Sequence, residues 1–337
     1  MRRYGYLFEQ VIAFDNLLLA ARKACRGKRG RASVAHFSFH LETELLRLQE
    51  ELRSGSYRMR PCRTFFIYEP KQRRICAADF RDRVVHHAVC NVLDPIFEVC
   101  LIDDTYACRR GKGTHAVIKR VQGFARRWPY VLKCDVRKYF ESVDHTVLKT
   151  LLRRKLKDAR LLALLDHIID HHIPGGALGK GLPIGNLTSQ YFANLYLGEL
   201  DHFLKERLRI KGYVRYMDDF LVLAHEKACL HTTLATIRAF LHDVLRLDLK
   251  DEVVRIAPVT QGIPFLGFRI FPGLIRMEGK KWARFRRRVR ILEAQYACAM
   301  IDEATLARSV ASMIGHVIHT DSLAARRAFF AGSFALG

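Results

Sequence analysis

The chain has 337 residues, half of them apolar and 27% charged, a composition that fits a folded protein of roughly two or three packed units. Its 57 Lys and Arg against 34 Asp and Glu leave a net charge of +23, a field that attracts polyanions, nucleic acid first among them. No apolar run reaches the roughly 18 residues of a membrane span, and Glu9 and Asp15 interrupt the stretch after the basic start, so no signal peptide is read and a cytoplasmic protein without a membrane partner is expected.

The first 60 residues read as helices over 8–24 and 40–53, ending at Ser54-Gly55. Between them, the basic run 22–31 reads as a phosphate-contacting loop, with Lys28 and Arg29 as backbone contacts. Residues 63–69 are rich in aromatic and β-branched side chains and predict a strand, with 75–78 pairing back across the basic turn 70–74. A helix is expected from Phe80, stopping before Pro95.

Residues 131–136 form a short apolar strand ending in a carboxylate, and 147–169 carry Leu and Ile at helical spacing. The stretch 174–185 holds five glycines and two prolines and must be a loop, with a helix following over 186–204. Residues 212–223 read as strand, tight turn, strand; 226–245 as an amphipathic helix; 265–271 as a hairpin; and 282–334 as a basic helical tail. Strands and helices alternate in the middle with helices at both ends, which predicts an α+β fold.

Nine cysteines are scattered without a C-x-x-C pair, which reads as free, mostly buried thiols rather than a disulfide framework or a zinc ribbon. His167 and His171 stand four apart in a Leu-rich helix, more simply a polar face than a metal site, and His86-His87 read as structural or as template-backbone contacts. Asp103-Asp104 reads as a surface turn.

Tyr216-Met217-Asp218-Asp219 is different, because its two adjacent carboxylates are flanked by Val214 and by 220–223, all apolar. Like charges there repel and resist desolvation, a conflict that a divalent cation resolves. Hard oxygen ligands suit Mg²⁺. Phosphoryl transfer to a 3′-hydroxyl uses two such ions about 3.5–4 Å apart, and Asp135, at the end of its own strand, is the third carboxylate that would face the pair, with Val136 beside it.

These residues resemble the reverse transcriptase family, over nearly the whole chain. Tyr-x-Asp-Asp is similar to that family's catalytic hairpin, and Lys133 to Phe140 to its other catalytic strand. The block 181–190, with Ile184-Gly185 and Ser189-Gln190, resembles the variant of diversity-generating retroelement reverse transcriptases, as do 106–109, 111–115 and 261–270. The resemblance implies a right-hand polymerase fold with fingers, a palm built on an antiparallel sheet and a helical thumb. The implied divisions are an N-terminal extension and fingers at 1–130, a palm at 131–272 with inserted fingers helices near 146–180, and a thumb at 273–337.

It further implies Asp135, Asp218 and Asp219 as catalytic residues, holding two Mg²⁺ (or Mn²⁺) ions with Val136. Lys71, Arg73, Arg74, Phe140 and Gln190 would bind the deoxynucleotide, Phe140 as a steric gate against a 2′-hydroxyl. Ile184, Gly185 and Arg73 would shape the template pocket and its fidelity. Phe265, Leu266 and Gly267 would grip the primer, and Lys281, Arg284, Arg287 and Arg288 would track the duplex backbone. The implied partners are a template RNA, the RNA/cDNA duplex, deoxynucleoside triphosphates and an oligomeric helical-bundle accessory protein. The expected function is RNA-templated cDNA synthesis, error-prone opposite template adenines. The alternatives are another bacterial reverse transcriptase (group II intron, retron or phage-defence type) and a non-catalytic RNA-binding scaffold.

Overall fold

The computed structural model describes residues 3–68, 72–171 and 175–333. The chain opens with helices α1 (Phe8–Ile12), α2 (Phe14–Ala24), α3 (Ala32–Phe39) and α4 (Leu41–Ser54). The helix expected over 8–24 is broken at Ala13, whose extended ψ of 134° redirects the chain. Strands β1 (Arg63–Ile67) and β2 (Arg73–Ala77) form a two-stranded antiparallel ribbon with Thr64 opposite Cys76.

Helix α5 (Phe80–Glu98) runs through Pro95 instead of stopping before it. Only three residues follow the proline, so the missing backbone donor disturbs a helix that is already ending. Helix α6 (Thr114–Ala125), for which the sequence pattern gave no expectation, leads to β3 (Tyr130–Asp135). Then come α7 (Tyr139–Ser142), α8 (His145–Lys155) and α9 (Ala159–Ile169). The last two replace one expected helix, because Asp158 caps α9 through Leu161 N and also accepts from Leu7 N and Phe8 N at 2.8 and 2.9 Å. That carboxylate anchors the N-terminal helices to the middle of the chain.

Residues 175–186 form a loop, as expected, before α10 (Leu187–His202) and a π-helical turn over Phe203–Arg207. Strands β4 (Gly212–Tyr216) and β5 (Asp219–Ala224), helix α11 (Lys227–Leu245) and β6 (Arg255–Pro258) follow. A three-stranded sheet of β7 (Ile263–Phe265), β8 (Phe268–Ile270) and β9 (Ile275–Met277) precedes α12 (Gly279–Ala297), α13 (Glu303–Val317) and α14 (Leu323–Ser333).

The central sheet runs β4-β5-β3-β6, antiparallel throughout. Its side chains alternate between two cores, as a strand's period of two requires. Leu132, Cys134, Tyr213, Phe220 and Val222 face the main core with α5, α8, α10 and α11. Val131, Val214, Leu221 and Leu223 face a second core built from α6 and β7–β9. The last three helices have a small core of their own around Phe285, Val289 and Val317.

Three expectations need correction. Cys62 and Cys76 are joined in a disulfide rather than free, because the β1–β2 register brings the residue just before β1 against β2, with the Cα atoms 5.6 Å apart. Asp103-Asp104 does form a turn, but Asp104 is not on the surface: it is 4% exposed and receives Arg120 Nε at 2.7 Å and Lys205 Nζ at 2.8 Å. The basic run 22–31 is not one loop, since Arg22 and Lys23 close α2; Lys28 and Arg29 lie in the turn after that helix. His167 does serve structure, its Nε2 accepting from Met59 N.

The largest fully buried side chain among the described residues is the charged Arg215 on β4. Its guanidinium forms a two-pronged pair with Asp201 of α10 at 2.6 and 2.7 Å, and Asp201 also accepts from Tyr213 and Thr105 hydroxyls. Asp201→Asn would leave that buried charge without its counter-ion. Chemical denaturation should show a loss of about 3–5 kcal/mol, whereas removal of an exposed pair such as Arg53–Glu50 should cost under ~1 kcal/mol.

Candidate active site

β4 and β5 are joined by the two-residue turn Met217-Asp218, with Tyr216 opposite Asp219. Met217 has φ 59°, the left-handed region that any residue with a Cβ resists. Arg215 offsets that strain by donating from Nη1 to the Met217 carbonyl at 2.9 Å. β3 lies on the other side of β5 in a register that puts Asp135 directly opposite Asp219. Val136 N donates to the Asp218 carbonyl at 3.2 Å, and Lys250 N to the Asp135 carbonyl at 2.8 Å. Asp135, Asp218 and Asp219 therefore meet at one end of the central sheet.

The electrostatics follow from that meeting. Burial, then the Asp135 carboxylate, raise the Asp218 carboxyl above its ordinary range, while Arg73 and Arg215 oppose the shift. Burial pushes Asp219 up to about 7, with Asp135 and Asp218 adding to the rise and Lys133 opposing it. Asp219 Oδ1 is buried and has no hydrogen-bond partner among the described residues. An orphaned carboxylate oxygen among mutually repelling carboxylates fits a hard divalent cation. Among the described residues no three acidic, His or Cys side chains close into a cage by themselves. Mg²⁺ suits such an open arrangement, because it takes one or two carboxylates and fills its shell with water and phosphate oxygens.

The β1–β2 ribbon docks on the glycine-rich loop. Cys76 N donates to the Ile184 carbonyl at 2.9 Å, and Ala78 N to Asn186 Oδ1. Gly185 has φ 118°, a conformation that favours glycine, and a Cβ there would press on Ile75 Cγ2 at 3.0 Å. Arg73 lies on β2 close enough to Asp218 to favour its ionised form, and Arg74 on the same strand lines a small cavity with Glu141, Lys180 and Ile184. Phe140 is half-buried beside Tyr139, and its carbonyl accepts from Leu182 N at 2.6 Å, tying the segment after Asp135 to the same loop. Gln190 lies in the first turn of α10. Lys71 is outside the described residues.

Phe265, Leu266 and Gly267 form the end of β7 and the turn into β8, with both turn residues at positive φ. Lys281 donates to the Leu266 carbonyl at 2.7 Å and lies 4.3 Å over the Phe268 ring, so it locks α12 to this hairpin rather than standing free. Arg284, Arg287 and Arg288 are all exposed on α12, and Arg284 and Arg288 line one cavity with Phe285, Tyr216 and Phe268. Lys28 and Arg29 lie far along the chain from these elements, in the α2–α3 turn, where burial, Arg83 and Arg31 lower the Lys28 pKa.

Two site residues escaped the sequence reading. Lys133 stands two before Asp135 on the same sheet face, and its Nζ is 3.6 Å from Asp219 Oδ2 and 2.8 Å from the Pro264 carbonyl. Arg215 was visible only as an arginine in a buried strand. Strand parity from Asp135 and from Tyr213 could have singled out both.

A carboxyl whose folded pKa is raised weakens the folded state as pH climbs from its unfolded value of 3.8 through about 7, because only the unfolded chain then ionises freely. Metal-free Asp219→Asn should therefore be more stable than the parent above neutral pH, by on the order of 2–4 kcal/mol. The difference should vanish near pH 4 when unfolding is followed across the range.

Comparison with known proteins gives the family of the chain. Residues 69–270, more than half of the chain, match the family described as "Reverse transcriptase (RNA-dependent DNA polymerase)". Protein YkfC of Escherichia coli is 30% identical over 276 residues, covering 68% of this chain and 72% of that protein. The group II intron-encoded protein LtrA of Lactococcus lactis is 23% identical over 71% of this chain, which spans about half, 52%, of LtrA. Among solved structures, apo telomerase from Candida tropicalis truncated from its C-terminal domain has a TM-score of 0.51 at 13% identity, over 71% of this chain and 60% of that one. That likeness places the right-hand polymerase fold. The chain belongs to the reverse transcriptase (RNA-dependent DNA polymerase) family.

Proposed function

We propose that this chain copies a retroelement template RNA into cDNA by two-metal nucleotidyl transfer, and that it does so inaccurately opposite template adenines, as a diversity-generating retroelement enzyme. The observation that carries the polymerase reading is the meeting of Asp135, Asp218 and Asp219 at one sheet end, facing a ribbon that brings Arg73 near Asp218.

When bound, two Mg²⁺ ions, for which Mn²⁺ can substitute, would activate the attacking 3′-oxygen and stabilise the leaving pyrophosphate. Asp135, Asp218 and Asp219 would hold them, with Val136 fixed to the hairpin through its N–H. Arg73 and Arg74 would bind the triphosphate, Arg being suited by its planar fork; Lys71 belongs to the same proposal from sequence alone. Phe140 would exclude a 2′-hydroxyl, and Gln190 would contact the nucleotide from the start of α10. Phe265–Gly267 would grip the primer, and Arg284, Arg287 and Arg288 would follow the duplex phosphates, with Lys28 and Arg29 on the template RNA. In this reading 1–130 is N-terminal extension and fingers, 131–272 palm with inserted fingers helices, and 273–337 thumb, working in the cytoplasm with an oligomeric helical-bundle accessory protein.

The mutagenic subtype rests on the 181–190 block. Ile184 offers an apolar side chain where related enzymes carry an amide, and its carbonyl is bonded to the strand that bears Arg73. A second reading, a group II intron-type enzyme, draws on the similarity to LtrA.

Primer extension on a defined RNA template, with products sequenced, tests both levels. Asp218→Ala should lose about 10³-fold or more of the metal-dependent rate, and an unchanged rate would remove the metal reading. Errors should concentrate opposite template adenines, and Ile184→Gln should reduce them by about tenfold. Accurate copying by the parent, with native RNA and accessory protein supplied, would discard the mutagenic subtype in favour of the intron type.

A further inference from the structure

Lys133 is the one cation inside the carboxylate cluster that belongs to the cluster's own strand. Its side chain, like that of Asp219, is more than four-fifths buried. Strand parity puts Lys133 and Asp135 on the same face of β3, and the register puts Asp219 directly across from Asp135 on β5. The ammonium reaches two partners on different strands: Asp219 Oδ2 at 3.6 Å and the backbone carbonyl of Pro264, on β7, at 2.8 Å. The other oxygen of Asp219, Oδ1, is buried without a partner among the described residues. One carboxylate oxygen is thus held by the protein's own cation and the other is left open. Arg255, opposite Lys133 on β6, is exposed and bonded to Gln261, so it does not share this role.

We propose that Lys133 is a positioning residue: a resident counter-cation that ties Asp219 to the β7–β8 hairpin when no metal is bound, and that sets how tightly a metal binds. The proposal rests on the two-metal reading of the site. Without a metal, the ammonium relieves part of the repulsion among Asp135, Asp218 and Asp219. With one, it is a like charge close to the ion and weakens its hold. Its bond to Pro264 also makes the Asp219 carboxylate answer to the position of the β7–β8 hairpin.

Lys133→Met keeps the aliphatic stem and removes the charge, and Lys133→Arg keeps the charge. Mn²⁺ binding, followed by the paramagnetic signal of the free ion, and the unfolding midpoint with and without Mn²⁺ are measured on the full chain at one fixed alkaline pH. Lys133→Met is expected to melt several degrees lower than the parent without metal and to bind Mn²⁺ roughly tenfold tighter, so that the ion raises its midpoint by more. Lys133→Arg should restore the parent values, and in an Asp219→Asn background Lys133→Met should change neither quantity further. If Lys133→Met folds only when Mn²⁺ is added, the proposal stands; if it fails to fold even then, a packing role replaces it. Equal, measurable Mn²⁺ affinity in parent and Lys133→Met overturns the role of Lys133 while leaving the metal site. Absence of Mn²⁺ binding to the parent overturns the metal reading and the proposal with it.

Discussion

A guanidinium with no exposure to water, that of Arg215, holds the Tyr216–Asp219 hairpin to the helix behind it. The turn it supports puts Met217 in a conformation that side chains avoid, and it gathers carboxylates that repel one another. Neither arrangement would persist without an opposing contact. Arg215 supplies it twice, through the paired carboxylate of Asp201 on α10 and through the Met217 carbonyl. The pair is satisfied on nearly every side, by Tyr213, Thr105 and Asn194, and that satisfaction makes a buried ion pair tolerable.

The same buried framework extends outward. Arg215 N donates to the Asp104 carbonyl, and the Asp104 side chain receives Arg120 from α6 and Lys205 from the π-helical turn. The hairpin is thereby fixed to elements on both faces of the sheet, while the opposite end of the site rests on lighter contacts. The β1–β2 ribbon meets the loop through one backbone bond, Cys76 N to the Ile184 carbonyl, with Ala78 N just past β2 donating to the Asn186 side chain, and all of β1 is exposed. A carboxylate cluster braced by buried polar contacts is thus faced by an exposed ribbon that carries Arg73 and Arg74.

Much of this was legible in the sequence, for reasons particular to each stretch. The β4–β5 hairpin and α11 emerge from their hydrophobic period, since their neighbours are consecutive in the chain. The carboxylate trio was legible because Asp218-Asp219 between apolar flanks is costly to bury unless a cation shares the site. The breaks at Ala13 and at 156–158 were not, because they depend on the segments' docking partners: Asp158 holds both α9 and the backbone of Leu7 and Phe8, far earlier in the chain. The disulfide of Cys62 and Cys76 depends likewise on the ribbon's register, and the burial of Asp104 on two cations distant in sequence.

By itself the sequence determined which residues could carry charge on an apolar strand, where glycine had to stand and how the strands alternate. These are local matters, fixed by backbone sterics and by the cost of desolvating a charge. The tertiary structure alone decided that β3 lies beside β5 with Asp135 opposite Asp219, that Lys133 reaches both Asp219 and Pro264, and that Arg215 lies beneath the turn. Each of those facts joins segments separated in the chain. Their free energy comes from packing and charge pairing at short range in space, which sequence order does not encode.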